Sequence, residues 1–173
     1  MELIPEKFTP AEAHAMTGVT PQRQREWRMY GWLVTEGLTR EETKGWKRWH
    51  EQDLALLMIF GRLQSRYGAV SLIKQLATSD GAMLSAELVW VYALIATGGD
   101  VGDWQRNQVD DLEDLPRFMI ADGENAFEPV TPSWFLKISA ITGVATLIDL
   151  KDLGEQLARV APRPLARLES EDN

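Results

Sequence analysis

The chain of 173 residues contains no cysteine. Disulfides, thiol nucleophiles and thiolate metal sites are therefore excluded. Histidine is almost as scarce: His14 and His50 are the only two, far apart in sequence. A metal site would have to rest on carboxylates, and no acidic segment has calcium-loop spacing. Long apolar runs are missing as well. The longest, Leu88 to Ala96, is too short to cross a bilayer. The start, Met1-Glu-Leu-Ile-Pro-Glu6, lacks the basic and then apolar pattern of a signal peptide. No nucleophile–base constellation, glycine-rich phosphate loop, internal repeat or low-complexity segment is found. The expectation is a soluble cytoplasmic protein that is not an enzyme and needs no cofactor or metal.

Apolar residues make up 45% of the chain, with seven tryptophans, so a sizeable core can be filled. Taken as a whole, the net charge of -8 disfavours a polyanionic partner. Its distribution matters more. Residues 1–67 carry ten Lys/Arg and nine Asp/Glu, a balance of +1. Residues 68–173 carry eight and seventeen, a balance of -9. Within residues 21–48 seven basic residues face four acidic ones, a balance of +3. A locally basic surface can bind phosphates while the rest of the molecule repels them.

Thr9-Pro10-Ala11-Glu12 is a helix start: Thr9 as N-cap, Pro10 at the first helical position, Glu12 closing a capping box. Gly18 keeps this helix short. Ala11, Ala15 and Met16 are expected on its buried stripe, with Phe8 stapling its start. Thr20-Pro21 repeats the signal, opening a second helix to about Met29. Two short helices with a Gly-containing turn form a helix-turn-helix pattern. In the second helix Gln22, Arg23, Gln24, Arg25, Glu26 and Arg28 give an almost wholly polar surface, and Trp27 is the main apolar residue. Propensity alone rarely holds so short a helix. Lying against DNA is one reason for it to exist, because Arg pairs with guanine edges or phosphates and Gln with adenine. A solvated surface helix is the plainer alternative.

Residues 34–45 read as a loop, and Trp46-Lys47-Arg48-Trp49 fits a small two-stranded wing with cations near its tip. His50-Glu51-Gln52-Asp53 starts a third helix, apolar nearly all round from Leu54 to Phe60 and so buried, under the motif or in a dimer. Trp27, Trp32 and Trp49 are expected in the core rather than as stacking platforms. The ordered fragments Phe8-Thr-Pro-Ala-Glu-Ala13, Thr17-Gly18-Val19-Thr20-Pro21, Arg25-Glu26-Trp27, Gly31-Trp32-Leu33 and Lys47-Arg48-Trp49-His50-Glu51-Gln52-Asp53-Leu54 resemble the MerR-type winged helix-turn-helix DNA-binding domain. The resemblance covers about a third of the chain. It departs at Glu26, where the family has an aromatic residue, and at Lys47, in place of a wing arginine. It implies phosphate or base contacts from Arg25 and its neighbours and phosphate contacts from Lys47.

The second half shows no heptad run for a long coiled coil. The helix from His50 is expected to stop near Tyr67-Gly68, followed by a helix from Val70 to Ala77. Periodicity does not decide whether residues 88–96 are helix or strand, although the segment leading into them favours helix. Arg117 to Gly123 and Ala145 to Asp149 read as strands. Ser133 to Thr142 and Leu150 to Val160 read as helices, and a last short strand falls at Pro164 to Leu168. Asp149 and Asp152 suit a helix start rather than a catalytic pair. Trp90, Tyr92 and Trp134 suit core or dimer packing better than an effector pocket. The acidic residues between Asp100 and Asp114 suit a solvated loop.

The expected fold is mainly α with small β content: an N-terminal winged helix-turn-helix over residues 1–67 and an acidic α+β module over residues 68–173. The expected function is that of a bacterial sequence-specific regulator binding double-stranded DNA as a homodimer. Thr20, Gln22, Arg23, Arg25, Arg28, Lys44, Lys47 and Arg48 are the expected DNA contacts. The competing readings are a winged-helix adaptor binding a protein partner through its acidic half, and an architectural factor of the excisionase or small-terminase kind.

Overall fold

The computed structural model describes residues 2–33, 48–68, 70–79, 81–98, 115–122, 128–135 and 145–169. The expected loop over residues 34–45, Lys44, Lys47, the acidic segment and the continuation of the helix past residue 135 lie outside them. The described chain is mainly helical with two small sheets. In order it runs β1 (Glu2–Pro5), α1 (Pro10–Thr17), α2 (Pro21–Met29), α3 (Glu51–Tyr67), α4 (Val70–Ala77), α5 (Gly81–Ala96), β2 (Phe118–Asp122), β3 (Glu128–Val130), α6 (Pro132–Phe135), β4 (Ala145–Asp149), α7 (Leu150–Val160) and β5 (Ala166–Glu169).

Local signals set the helix ends. The Thr9 hydroxyl accepts from the Glu12 N–H at 3.3 Å, and the Glu12 carboxylate accepts from the Thr9 N–H at 2.7 Å. The reciprocal box satisfies two orphan donors of α1. Gly18 then takes the left-handed conformation at φ 73° and ends the helix. Thr20 caps α2 in the same way, accepting from the Arg23 N–H. The buried residues of α1 are Ala13 and Met16; Ala11 and Ala15 face outward, which corrects the stripe expected for them. Packing against α2, α3 and α7 selects the inward face of so short a helix.

Residues 88–96 are helical, as the last half of α5. Ten of the sixteen α5 residues are buried, so this helix is the centre around which α3, α4, α7 and β3 pack. That all-round burial explains why its sequence has no amphipathic stripe. The apolar stretch from Leu54 to Phe60 is also buried within the chain. Both stretches therefore belong to one intramolecular core rather than to a dimer seam. That cluster takes residues from both sides of residue 67, from Phe8 to Leu165. The chain ends meet as well: β1 pairs antiparallel with β5, and Arg163 donates to the Lys7 carbonyl and stacks over Phe8. No single described helix is long and apolar enough to cross a membrane.

Gly154 sets the closest approach in this core. A Cβ there would lie 2.5 Å from the Val89 carbonyl oxygen, 2.6 Å from Tyr92 Cβ and 2.8 Å from the Ala93 nitrogen. Two of these are backbone atoms of α5, which cannot move aside as a side chain does. Gly154→Ala should therefore destabilise by about 3 kcal/mol. Its thermal midpoint should fall by roughly 6–12 °C. Helix propensity alone would give the opposite sign, by about 1 kcal/mol, so a midpoint that rises would contradict the packing.

The second sheet has the order β3-β2-β4, antiparallel throughout. At its corner Arg117 grips Asp149 through Nε and Nη2, the shortest contact being 2.6 Å. Asp149 also caps α7 by accepting from the Asp152 N–H, as its position at a helix start suggests. Burial alone would raise the Asp149 carboxyl. The Arg117 fork and the backbone donors outweigh it and hold the group below its ordinary value of 3.8. A depressed carboxyl contributes stability that is complete above the unfolded value and is lost as pH falls through the folded one. Asp149→Asn keeps a capping side chain and removes the ion pair. Because Arg117 is partly solvated, it should cost only about 1 kcal/mol at neutral pH. Urea midpoints of the two proteins should converge once the pH falls below the folded value.

Candidate nucleic-acid interface

α2 carries six polar or charged residues in nine positions, yet it is held firmly. The reason is Gln24, which is fully buried. Its amide nitrogen donates to the Pro10 carbonyl at 3.0 Å and the Val19 carbonyl at 2.8 Å. Its amide oxygen accepts from the Trp49 indole N–H at 2.7 Å. One side chain thus ties α2 to the start of α1, to the turn between the helices, and to the chain just before α3. Trp27 adds the apolar half of the anchor, buried and edge-on to Phe60 at 5.4 Å. The sequence reading placed Gln24 on the polar surface; the structure corrects this.

Gly61 of α3 completes the seat. A Cβ there would lie 2.7 Å from the Thr17 carbonyl oxygen. Behind it, Trp49 pairs with Phe8 through two backbone hydrogen bonds of 2.7 and 3.0 Å. Both rings are buried. Trp27 and Trp49 are core residues, as expected, and Trp32 is half-buried against the core.

With Gln24 and Trp27 turned inward, α2 presents Gln22, Arg25, Glu26 and Met29 on its opposite face. Gln22 and Arg25 are exposed, and Met29 is 80% exposed. Glu26 draws in two neighbours: it accepts from Gln22 at 3.2 Å and from Arg23 at 2.8 Å. Arg23 is therefore an ion pair on the flank, with its side chain 41% exposed. Arg25 makes one long hydrogen bond of 3.4 Å to the Pro21 carbonyl. The Thr20 hydroxyl is engaged by the cap. Arg48 is exposed beside Trp49.

Arg28 differs from the other arginines. Its guanidinium lies over the Trp49 ring, 3.7 Å from the centroid. Burial pulls its pKa below the ordinary value, partly offset by the charge of Asp53. The structure thus brings Gln22 and Arg25 together on one exposed face, with Arg23 and Arg28 on opposite flanks. On the Arg23 flank a cleft of about 540 Å³ also holds Arg62 of α3 and Gln156 of α7. His50 occupies the N-cap position of α3 without a side-chain capping bond, and His14 is exposed.

Comparison with protein-family models, curated proteins and solved structures finds no match to this chain.

Proposed function

We propose that this protein is a sequence-specific regulator that binds double-stranded DNA by laying the exposed face of α2 in the major groove. One observation carries the reading. α2 spends its two inward residues on a buried anchor and leaves Gln22 and Arg25 side by side in solvent. Those two side chains match the acceptor and donor pattern of base edges. The resemblance of residues 8–54 to the MerR-type domain supports the same orientation. Lys44, Lys47 and Arg48 supply flanking phosphate contacts in this reading, and a homodimer on paired half-sites is the assembly. The acidic residues 68–173 keep the rest of the surface away from the duplex.

Gel shifts on genomic fragments at low and high salt test the proposal. Binding should weaken steeply with salt. Glu26 gives a sharper check, since it places one negative charge among the contacts and ties down Arg23 and Gln22. Glu26→Gln should tighten duplex binding about 3- to 10-fold at low salt and steepen the log–log salt slope by up to ~1. Anisotropy titrations at several salt concentrations would read both. An unchanged affinity would place Glu26 outside the interface.

A second reading, a protein-binding adaptor, draws on the end of α2. Met29 and Tyr30 are 80% and 59% exposed, an apolar pair at the tip of a polar helix. Failure to bind any duplex, together with a defined protein partner lost in Met29→Ser, would favour it.

A further inference from the structure

α2 ends on a side chain that hydrogen bonding does not explain. Met29 is 80% exposed, more than any other large apolar residue among the described ones. A lone exposed apolar residue is commonplace. The position of this one is not. It follows Arg25 by four residues and Gln22 by seven, the spacing that stacks side chains on one face of a helix. Gln24 and Trp27 hold the opposite face in the core. Met29 therefore extends the stripe of Gln22 and Arg25 by one turn, about 6 Å along the axis from Arg25. Tyr30, the other exposed apolar residue at this end, leaves the stripe. It is rotated by about 100°, and its ring leans on Trp32 with centroids 5.0 Å apart.

The major groove displays one apolar group among its donors and acceptors, the C5-methyl of thymine. Gln22 and Arg25 can bond to adenine and guanine edges and leave that methyl unread. A thioether suits it. The methionine side chain has no donor, is unbranched and polarisable, and adapts to the shape of a small apolar partner. Because Met29 stands in water, nearly all of its apolar surface remains to be buried in a complex. The arginines at positions 23 and 25 bring a polyanion to this helix, a complementarity that an apolar protein pocket would not need.

We infer that Met29 is a specificity-determining residue that reads the C5-methyl of a thymine in the major groove. Its place along α2 sets that thymine about two base-pair steps, each ~3.4 Å, from the base contacted by Arg25. The inference rests on the DNA-binding reading of α2 and adds a third element to what that face recognises.

The experiment uses the full chain and the duplex that it enriches from a random pool. Deoxyuridine keeps the hydrogen-bonding edges of thymine and removes only the methyl, so each thymine is replaced by it in turn and affinity is read by anisotropy. At one thymine in each half-site the loss should weaken binding about 3- to 10-fold, and elsewhere little. Met29→Ala should weaken binding to the thymine duplex by a similar factor. In that variant deoxyuridine at the same position should cost nothing further, because the two changes remove one contact. Met29→Leu, still apolar, should keep most of the methyl preference. Thermal midpoints should stay within about 2 °C of the original, since the side chain is exposed. An enriched motif without an A·T pair, affinity indifferent to every thymine methyl, or a methyl effect that persists in full in Met29→Ala would overturn the assignment and leave the DNA-binding reading standing. Enrichment of no motif would overturn both. A protein partner lost in Met29→Ser while duplex binding is unchanged would also overturn the assignment.

Discussion

Gln24→Leu should cost the fold about 3–5 kcal/mol, a large share of the 5–15 kcal/mol that holds a typical domain together. The expected loss is not that of a surface glutamine, which would fall within about 0.5 kcal/mol. Leucine fills nearly the same space but leaves the Pro10 carbonyl, the Val19 carbonyl and the Trp49 indole N–H without their present partner. A buried group that loses its partner costs about 1–3 kcal/mol, and the three do not add fully because they share one residue. The thermal midpoint should drop by roughly 10 °C or more. Trp49→Phe supplies the internal control. It removes the orphaned indole N–H, so the double variant should be less destabilised than the sum of the single ones. A Gln24→Leu protein as stable as the original would mean that the buried hydrogen bonds do not seat α2.

Gln22→Ala combined with Arg25→Ala should weaken binding to a preferred duplex about 100-fold or more, since each well-placed base contact contributes ~1–3 kcal/mol of discrimination. Binding to unrelated duplex should weaken much less, because it rests on phosphate contacts from other residues. The fold should be untouched, as both side chains are exposed and Arg25 has one long hydrogen bond. Arg159→Ala, an exposed arginine on α7, is the matched control and should change neither affinity. Arg23→Ala should lie between the two, since its charge is already paired with Glu26.

The helix boundaries were legible because they are written locally. Thr9-Pro10, Thr20-Pro21, Gly18 and Gly68 each act within one turn of where they stand: α1 begins and ends, α2 begins and α3 ends where those residues place them. The strands β2 and β4 and the helix α7 were legible by the same local patterning. Gln24 was not. Its partners are 14, 5 and 25 residues away, and no local pattern separates it from the exposed Gln22 two positions earlier. Arg28 hides in the same way: its ring partner Trp49 is brought to it only by the pairing of residues 8 and 49. The strand β1 escaped notice because four residues of mixed type carry no alternation to read, and its partner β5 lies at the far end of the chain. The apolar stretch 54–60 was correctly read as buried. What buries it is α5 together with α1 and α4, and α5 is covered in turn by α7, whose Gly154 permits the contact and which no motif connects to either helix.

The central claim is that the exposed face of α2 reads base sequence in duplex DNA. Selection of binders from a pool of random duplexes tests it most directly, run in parallel with the original chain and the Gln22→Ala/Arg25→Ala variant. The original should enrich a defined motif with repeated half-sites, and the variant should enrich none while staying folded. A pool that remains random with the original chain, or the same motif enriched by both proteins, would contradict the claim.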